Sequence, residues 1–247
     1  KIVLDKTYYV RERLVFDGLS DTYVVVDEEG LKAGVEDQSQ SSNEENAPIF
    51  HGFYLLRQFR PKSFPTRQKC EECWRNEIRA SQIFNASDNM DCTLQLVRPK
   101  VENGNFSSIP REFKKELALV YRYEPGLVPL NKWFRRGAAM SSFGLEGFLN
   151  KIVIPLCECV KRAHQRGIVH RDLNPKVIYV AESERQEPVP FVGSWKTAYF
   201  YKNPDATAEV AISDGGENAR DDGVPPAPKP LEKLSGGYDP IYSPGFY

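Results

Sequence analysis

The chain has 247 residues, of which 40% are hydrophobic and 27% are charged, so it contains enough apolar material for a sizeable folded core. Its 33 Lys and Arg residues nearly balance its 34 Asp and Glu residues, and the net charge of −1 excludes a strongly basic field of the kind that attracts nucleic acid. The sequence contains no apolar run of roughly 20 residues, so no membrane-spanning helix is predicted.

Two strands joined by a tight turn are predicted near the start of the chain. Residues 8–16 and 22–27 are rich in β-branched and aromatic side chains, and Asp17-Gly18 between them is a turn signal. The following segment, 36–46, is polar and of low complexity, which indicates a solvated loop.

One helix is predicted within this strand-rich part. An apolar strand is expected over 51–59, and residues 68–84 then show apolar side chains at helical spacing. Two further strands are predicted over 93–97 and 117–123.

The second half of the chain changes to a helical pattern. A long helix is predicted over 145–166, with Gly167 as its cap. Its apolar stripe consists of Phe148, Ile152, Leu156, Cys159, Val160 and Ala163. Short strands are expected over 177–181 and 188–192, and 201–237 has the composition of a loop.

The five cysteines do not form a predicted metal site. Cys70 and Cys73 form one close pair, Cys157 and Cys159 form another, and Cys92 stands alone. Neither pair has histidines at the spacing of a zinc site. Buried or free thiols in a reducing compartment are therefore predicted.

The most informative motif follows the long helix. His170-Arg171-Asp172 lies between that helix and a short strand. In this context the triplet resembles the H-R-D catalytic loop of protein kinases. In that family the Asp, here Asp172, accepts the proton of the substrate hydroxyl. The favoured interpretation is that the triplet is vestigial and now only packs the loop.

The resemblance covers nearly the whole chain and implies a two-lobe α+β fold. A sheet-rich lobe with one helix is expected over 1–124, and a truncated helical lobe over 125–247. In the family several more helices follow the position where this sequence stops. Tyr179, Phe191 and Trp195 are expected to cover part of the helix 145–166, and the remainder is expected to be an uncovered apolar face.

Both magnesium ligands of the family are replaced. The Asn expected five residues after Asp172 is Val177, and the Asp of D-F-G falls on Gly193 in Gly193-Ser194-Trp195. Neither side chain offers the oxygen atoms that magnesium requires. The resemblance therefore implies a site without a metal and a chain that has lost phosphoryl transfer.

The phosphate-binding loop is also degenerate. The family's glycine-rich turn falls between the first two strands, where this chain has Gly18 as its one glycine. Asp17 and Asp21 would then face the phosphates and repel them. An ordinary hairpin is the preferred interpretation.

The remaining cofactor-binding positions are Arg57 and Glu77. They match the strand Lys and the helix Glu that hold the nucleotide in the family. We expect Arg57 and Glu77 to form a salt bridge that ties helix to sheet, with bidentate geometry as an option. A nucleotide-binding role is the less favoured alternative.

The C-terminal part shows a weaker resemblance. Residues 239–245 contain Ser243-Pro244-Gly245 where the family has A-P-E, and their D-P-x-Y-x-P spacing is similar to thylakoid state-transition kinases of plants and algae. This similarity implies a plastid or thylakoid location.

The sequence therefore predicts an intracellular pseudokinase that is not an enzyme and holds no cofactor. ATP binding is not expected, and a protein partner is. The chain would act as a scaffold, an allosteric partner or a structural subunit. The alternatives are an atypical active Ser/Thr protein kinase and a nucleotide-binding sensor.

Overall fold

The computed structural model describes residues 1–36, 52–86, 90–101, 105–135, 144–182 and 187–201. Within these ranges the protein has a mixed α+β fold with a curled antiparallel sheet. Apart from Glu36 and Tyr201, the loops predicted at 36–46 and 201–237, and the motif at 239–245, lie outside the described residues.

The larger sheet has six strands in the order β1-β2-β3-β4-β6-β5, with every neighbouring pair antiparallel. The strands are β1 (Ile2–Val3), β2 (Thr7–Phe16), β3 (Ser20–Val26), β4 (Phe53–Phe59), β5 (Leu96–Arg98) and β6 (Ala118–Arg122). The hairpin predicted around Asp17-Gly18 is confirmed as β2 and β3. β5 begins at Leu96 rather than at residue 93, because Thr93 instead bridges to Val192 outside this sheet.

One long helix covers a face of this sheet. It is α2 (Arg67–Asn85), and it confirms the helix predicted from apolar periodicity. Thr66 caps its N-terminus by accepting the Lys69 amide at 3.1 Å. The indole of Trp74 donates to the carbonyl of Ala118 in β6 at 3.1 Å, so the helix is fixed to the sheet as well as packed on it.

Two smaller sheets belong to the second half of the chain. β7 (Val128–Pro129), β9 (Ile178–Glu182) and β10 (Pro188–Val192) form an antiparallel sheet in the order β10-β9-β7, and β8 (Ile168–Val169) pairs with β11 (Tyr199–Phe200). The strands expected over 177–181 and 188–192 are thus confirmed. They bring the chain around 170–196 against the larger sheet.

Three short helices were not predicted. They are α1 (Glu28–Glu36), α3 (Arg111–Glu116) and α4 (Leu130–Arg135). Each has six to nine residues, so its apolar residues do not complete enough turns to show a clear 3.6-residue period.

The long helix of the second half is interrupted. Helical residues 144–148 lead into a π-helical turn, Leu149–Val153, and then into α5 (Ile154–Gln165). Pro155 has no amide proton and cannot bond to the carbonyl of Lys151, which accounts for the wider turn before it. Gly167 follows α5 with φ of 79° and donates its amide to His164, as predicted for a cap.

The apolar stripe of this helix is covered more fully than expected. Ile152, Cys159 and Ala163 are buried, and Phe148 and Leu156 pack against the core. Part of the cover comes from a second core cluster that includes Phe84 of α2, Val192 of β10 and Trp195. The exposed apolar side chains of the same stretch are Leu145, Leu149 and Ile154.

None of the helices in the described ranges has both the length and the apolar character that crossing a bilayer requires.

Candidate functional site

A network of buried polar side chains connects the larger sheet to the loop that follows β10. It begins at Arg57, which lies opposite Thr22 in the β3–β4 register. Arg57 donates from Nε to Thr22 Oγ1 at 3.2 Å and from Nη2 to the Tyr179 hydroxyl at 3.0 Å. Its Nη1 bonds to Glu77 Oε1 in α2. The Tyr121 hydroxyl donates to the same oxygen at 2.6 Å.

The predicted Arg57–Glu77 salt bridge is therefore present, and both side chains are buried. It uses one carboxylate oxygen rather than two, because the second guanidinium nitrogen is bonded to Tyr179. Glu77 Oε2 has no hydrogen-bond partner among the described residues. Burial alone would lower the pKa of Arg57, but Glu77 and the tyrosine hydroxyls outweigh it and raise the pKa, so the guanidinium stays charged.

The second part of the network starts in the β2–β3 turn. Asp17 Oδ1 accepts the amides of Leu19 at 3.0 Å and of Ser20 at 2.7 Å. Asp17 Oδ2 accepts the Ser20 hydroxyl at 3.0 Å and the Lys196 ammonium at 2.7 Å. Burial raises the pKa of Asp17, but Lys196 and these hydrogen bonds outweigh it and lower the pKa to about 2. Asp17 is thus both the cap of its own turn and the partner of a distant lysine.

Lys196 is the centre of this part, with a side chain that is 0% exposed. Besides Asp17, it donates to Ser194 Oγ at 2.8 Å. Its Nζ also lies 3.8 Å from Asp172 Oδ2, in a side chain that is 16% exposed. The ammonium thus sits between the hairpin turn and the loop that carries His170-Arg171-Asp172.

The two aspartates of the hairpin do not face the same space, contrary to expectation. Asp21 bonds to Arg60 at 2.5 Å and lies 3.7 Å from Arg13. Successive residues in a strand point to opposite faces, and its neighbour Thr22 points inward to Arg57. Of the two aspartates, Asp17 is the one that reaches the network.

His170 and Asp172 are held by hydrogen bonds within their own loop and to Gly193. His170 Nε2 lies 2.9 Å from the Gly193 carbonyl, and its Nδ1 accepts the Asp172 amide at 3.2 Å. This pattern places the ring proton on Nε2. Burial lowers the pKa of His170 to about 4, so the ring is neutral at pH 7. Asn174 donates to Asp172 Oδ1 at 3.1 Å and fixes that carboxylate.

Arg171 is exposed and has a φ of 69°, and its guanidinium lies over the Tyr199 ring at 6.0 Å. His170 bonds to Gly193, and Asp172 lies beside Lys196.

Val177 and Gly193 are linked through their backbones. The Gly193 amide donates to the Val177 carbonyl at 2.9 Å. A Cβ on Gly193 would meet Leu94 Cδ1 at 2.7 Å and Tyr179 Cε2 at 3.0 Å, so no side chain fits there without movement of its neighbours. Within the described ranges, no group of three or more His, Cys, Asp or Glu residues is placed to hold a metal ion.

Several network residues were not predicted. They are Lys196, Ser194, Tyr121, Tyr179 and Asn174. The available signal was that Lys196 stands directly after Gly193-Ser194-Trp195, the segment already assigned to a metal-binding position.

The site as a whole is a closed set of internal charge pairs. Arg57 is neutralised by Glu77, and Lys196 by Asp17, with Asp172 at the partly exposed edge. The chain matches no protein-family model and no curated protein.

Proposed function

We propose that this chain is a catalytically inactive kinase-like domain with a two-lobe α+β architecture, and that it works by binding another protein. The supporting pattern is an antiparallel sheet carrying one long helix, followed by a helix that leads into His170-Arg171-Asp172. The Arg57–Glu77 pair between β4 and α2 corresponds to the strand–helix pair of that family.

The observation that carries the proposal is the position of Lys196. Phosphoryl transfer requires divalent cations that neutralise phosphate charge next to the catalytic Asp. Here a buried ammonium is already paired with Asp17 and lies near Asp172. We infer that this ammonium takes the place of a metal ion beside the two carboxylates.

The neighbouring positions support the same conclusion. Val177 offers an apolar side chain, and a side chain at Gly193 would fit only if Leu94 and Tyr179 moved. Catalysis of phosphoryl transfer depends mainly on positioning and on electrostatic stabilisation of the transition state. Loss of the metal ligands should therefore abolish turnover.

The first prediction is that ATP with magnesium does not stabilise the protein. A ligand that binds the native state alone adds about 2.7 kcal/mol at a hundredfold excess over its dissociation constant. We expect no change in Tm between protein alone and protein with millimolar ATP and MgCl2, measured by differential scanning fluorimetry. The matched controls are ATP with EDTA and MgCl2 without ATP.

The same experiment separates the alternatives. A rise in Tm that needs both ATP and magnesium would contradict the proposal and favour an atypical active kinase. That alternative is kept because Asp172 remains partly exposed and hydrogen-bonded in the motif. A rise that persists in EDTA would instead favour a nucleotide sensor that binds through Arg57 or Lys196.

A protein partner is the second half of the proposal. Leu145, Leu149 and Ile154 are exposed by 66%, 42% and 53% on the helical stretch before and at the start of α5. Apolar side chains grouped on one helix are typical of a surface that meets another protein. The proposed roles are scaffold, allosteric partner or structural subunit.

The second prediction tests whether this surface is apolar and accessible. The isolated chain should increase the fluorescence of an apolar dye, and the L149E/I154E variant should reduce the signal substantially at unchanged circular dichroism. Val3→Glu is the control, since Val3 is exposed at the far edge of the larger sheet. Equal dye fluorescence for all three proteins would remove the basis for a partner on this surface.

A further inference from the structure

Two thiols that are distant in sequence meet beside α5. Cys92 lies in the segment between α2 and β5, and Cys159 lies in α5, 67 residues further along the chain. Cys159 Sγ donates to the Cys92 carbonyl oxygen at 3.3 Å, which places the Cys159 side chain directly against Cys92. Both are reduced in this structure.

The surroundings make the two thiols unequal. Cys92 is half-buried, and the Cys159 thiol and the Arg162 guanidinium stabilise its thiolate, so its pKa lies below the ordinary value. Cys159 is buried, and its hydrogen bond to Cys92, together with burial, raises its pKa. A partly accessible, electropositive thiol next to a second, protected thiol is the arrangement of a redox-reactive pair.

We propose that Cys92 and Cys159 form a modification site for hydroperoxides, with Cys92 as the attacking thiol and Cys159 as the resolving thiol. This inference does not depend on the proposed pseudokinase function.

The chemistry balances with a hydroperoxide as the oxidant. The Cys92 thiolate attacks the terminal oxygen, the O–O bond breaks, and the alcohol leaves with a proton, which gives Cys92 sulfenic acid. The Cys159 sulfur then attacks the Cys92 sulfur, and the S–O bond breaks. The hydroxide that leaves combines with the Cys159 proton as water. Two thiols are oxidised to one disulfide, the peroxide is reduced, and an external dithiol reverses the reaction.

The other cysteines are poorer candidates. Burial raises the pKa of Cys70 to about 12 and that of Cys73 to about 11, so both stay protonated inside α2. Cys157 is exposed but lies two residues from Cys159, on a different side of α5. Selectivity for Cys92 is therefore expected.

The disulfide would join α5 to a segment that is already bonded to β10 through its backbone. The Cys92 carbonyl accepts the Val192 amide of β10 at 2.8 Å, and the Leu94 amide donates to the Val192 carbonyl at 3.3 Å. A covalent link from Cys92 to α5 would fix this segment to the helix. Oxidation should therefore raise resistance to unfolding rather than disrupt the fold.

The test treats the full chain with one equivalent of hydrogen peroxide and maps thiols by mass spectrometry under non-reducing conditions. We expect loss of two hydrogens and a Cys92–Cys159 linked peptide that dithiothreitol removes. In C159S the disulfide should be absent, and a 1,3-dione should trap a sulfenic acid on Cys92. C157S is the matched control and should behave as the wild type.

A second measurement needs no variant and covers the case in which C159S fails to fold. In the native wild type, a limiting alkylating reagent at pH 7 should modify Cys92 at least tenfold faster than Cys70 or Cys73. Equal rates, peroxide products confined to Cys157, or a linked pair other than Cys92–Cys159 would each overturn the proposal.

Discussion

Lys196→Met should destabilise the protein by about 3 kcal/mol, because it leaves the buried Asp17 carboxylate without its ammonium partner. The remaining amide and hydroxyl donors to Asp17 compensate only in part. The measurement is urea unfolding at pH 7. Lys151→Met is the matched control, since Lys151 pairs with Glu187 at the surface and its loss should change the free energy of unfolding by less than about 1 kcal/mol.

A double variant that removes both charges distinguishes the loss of the ion pair from the loss of packing. The D17N/K196M variant removes both charges and should be more stable than K196M alone. If K196M unfolds at the same urea concentration as the wild type, the ammonium does not hold the turn to the loop, and the main support for an occupied site is lost.

The pair also predicts a pH dependence. The pKa of Asp17 is about 2 in the folded protein and 3.8 in the reference state, so folding favours its ionised form. This contribution, about 2 kcal/mol, is fully present above pH 4 and is lost as the pH falls from about 4 to about 2. The stability advantage of the wild type over D17N/K196M should shrink across that window.

Glu77→Gln should cost about 3 to 5 kcal/mol, because it leaves the Arg57 guanidinium charged and buried with no carboxylate beside it. The double variant R57M/E77Q should be less destabilised than E77Q alone, since neither buried charge remains. Urea unfolding again measures the difference. Two fully buried partners make this the largest single effect that we expect in the molecule.

The control for Glu77 lies on the same helix. Glu71 pairs with Arg67 at the surface of α2, four residues apart, and Glu71→Gln should change stability by no more than about 0.5 kcal/mol. An E77Q variant that is as stable as E71Q would show that the Arg57–Glu77 pair contributes little. If R57M/E77Q were the least stable variant, packing rather than charge would decide the effect.

The sequence predicted the parts of the fold that carry their signal locally. The hairpin around Asp17-Gly18 combines alternation with a turn dipeptide, and α2 shows helical spacing over nineteen residues. The helix 145–166 was also predicted, but its apolar side was expected to be covered only in part. The cover that Trp195 supplies was expected, whereas the contribution of Phe84 from α2 was not, because no local pattern encodes which distant elements pack together.

The candidate site, like the fold, was predicted only where the residues carry a local signal. Arg57 and Glu77 were predicted from the family resemblance, because each stands in a recognisable strand or helix. Lys196 was not, since its partner Asp17 lies 179 residues away and a single lysine in an apolar stretch shows no periodicity. The sequence also could not predict that the salt bridge uses one carboxylate oxygen of Glu77, because this depends on Tyr179, which lies 122 residues from Arg57.

These separations imply an order of events during synthesis. Arg57 and Glu77 are 20 residues apart and can pair while most of the chain is still on the ribosome. Asp17 must wait until a further 179 residues have been made before Lys196 arrives. Until then the Asp17 carboxylate lacks its ammonium partner, so the β2–β3 turn should form locally but should not dock onto the loop after β10 in the nascent chain. Closure of that turn onto the loop after β10 would then be among the last steps of folding.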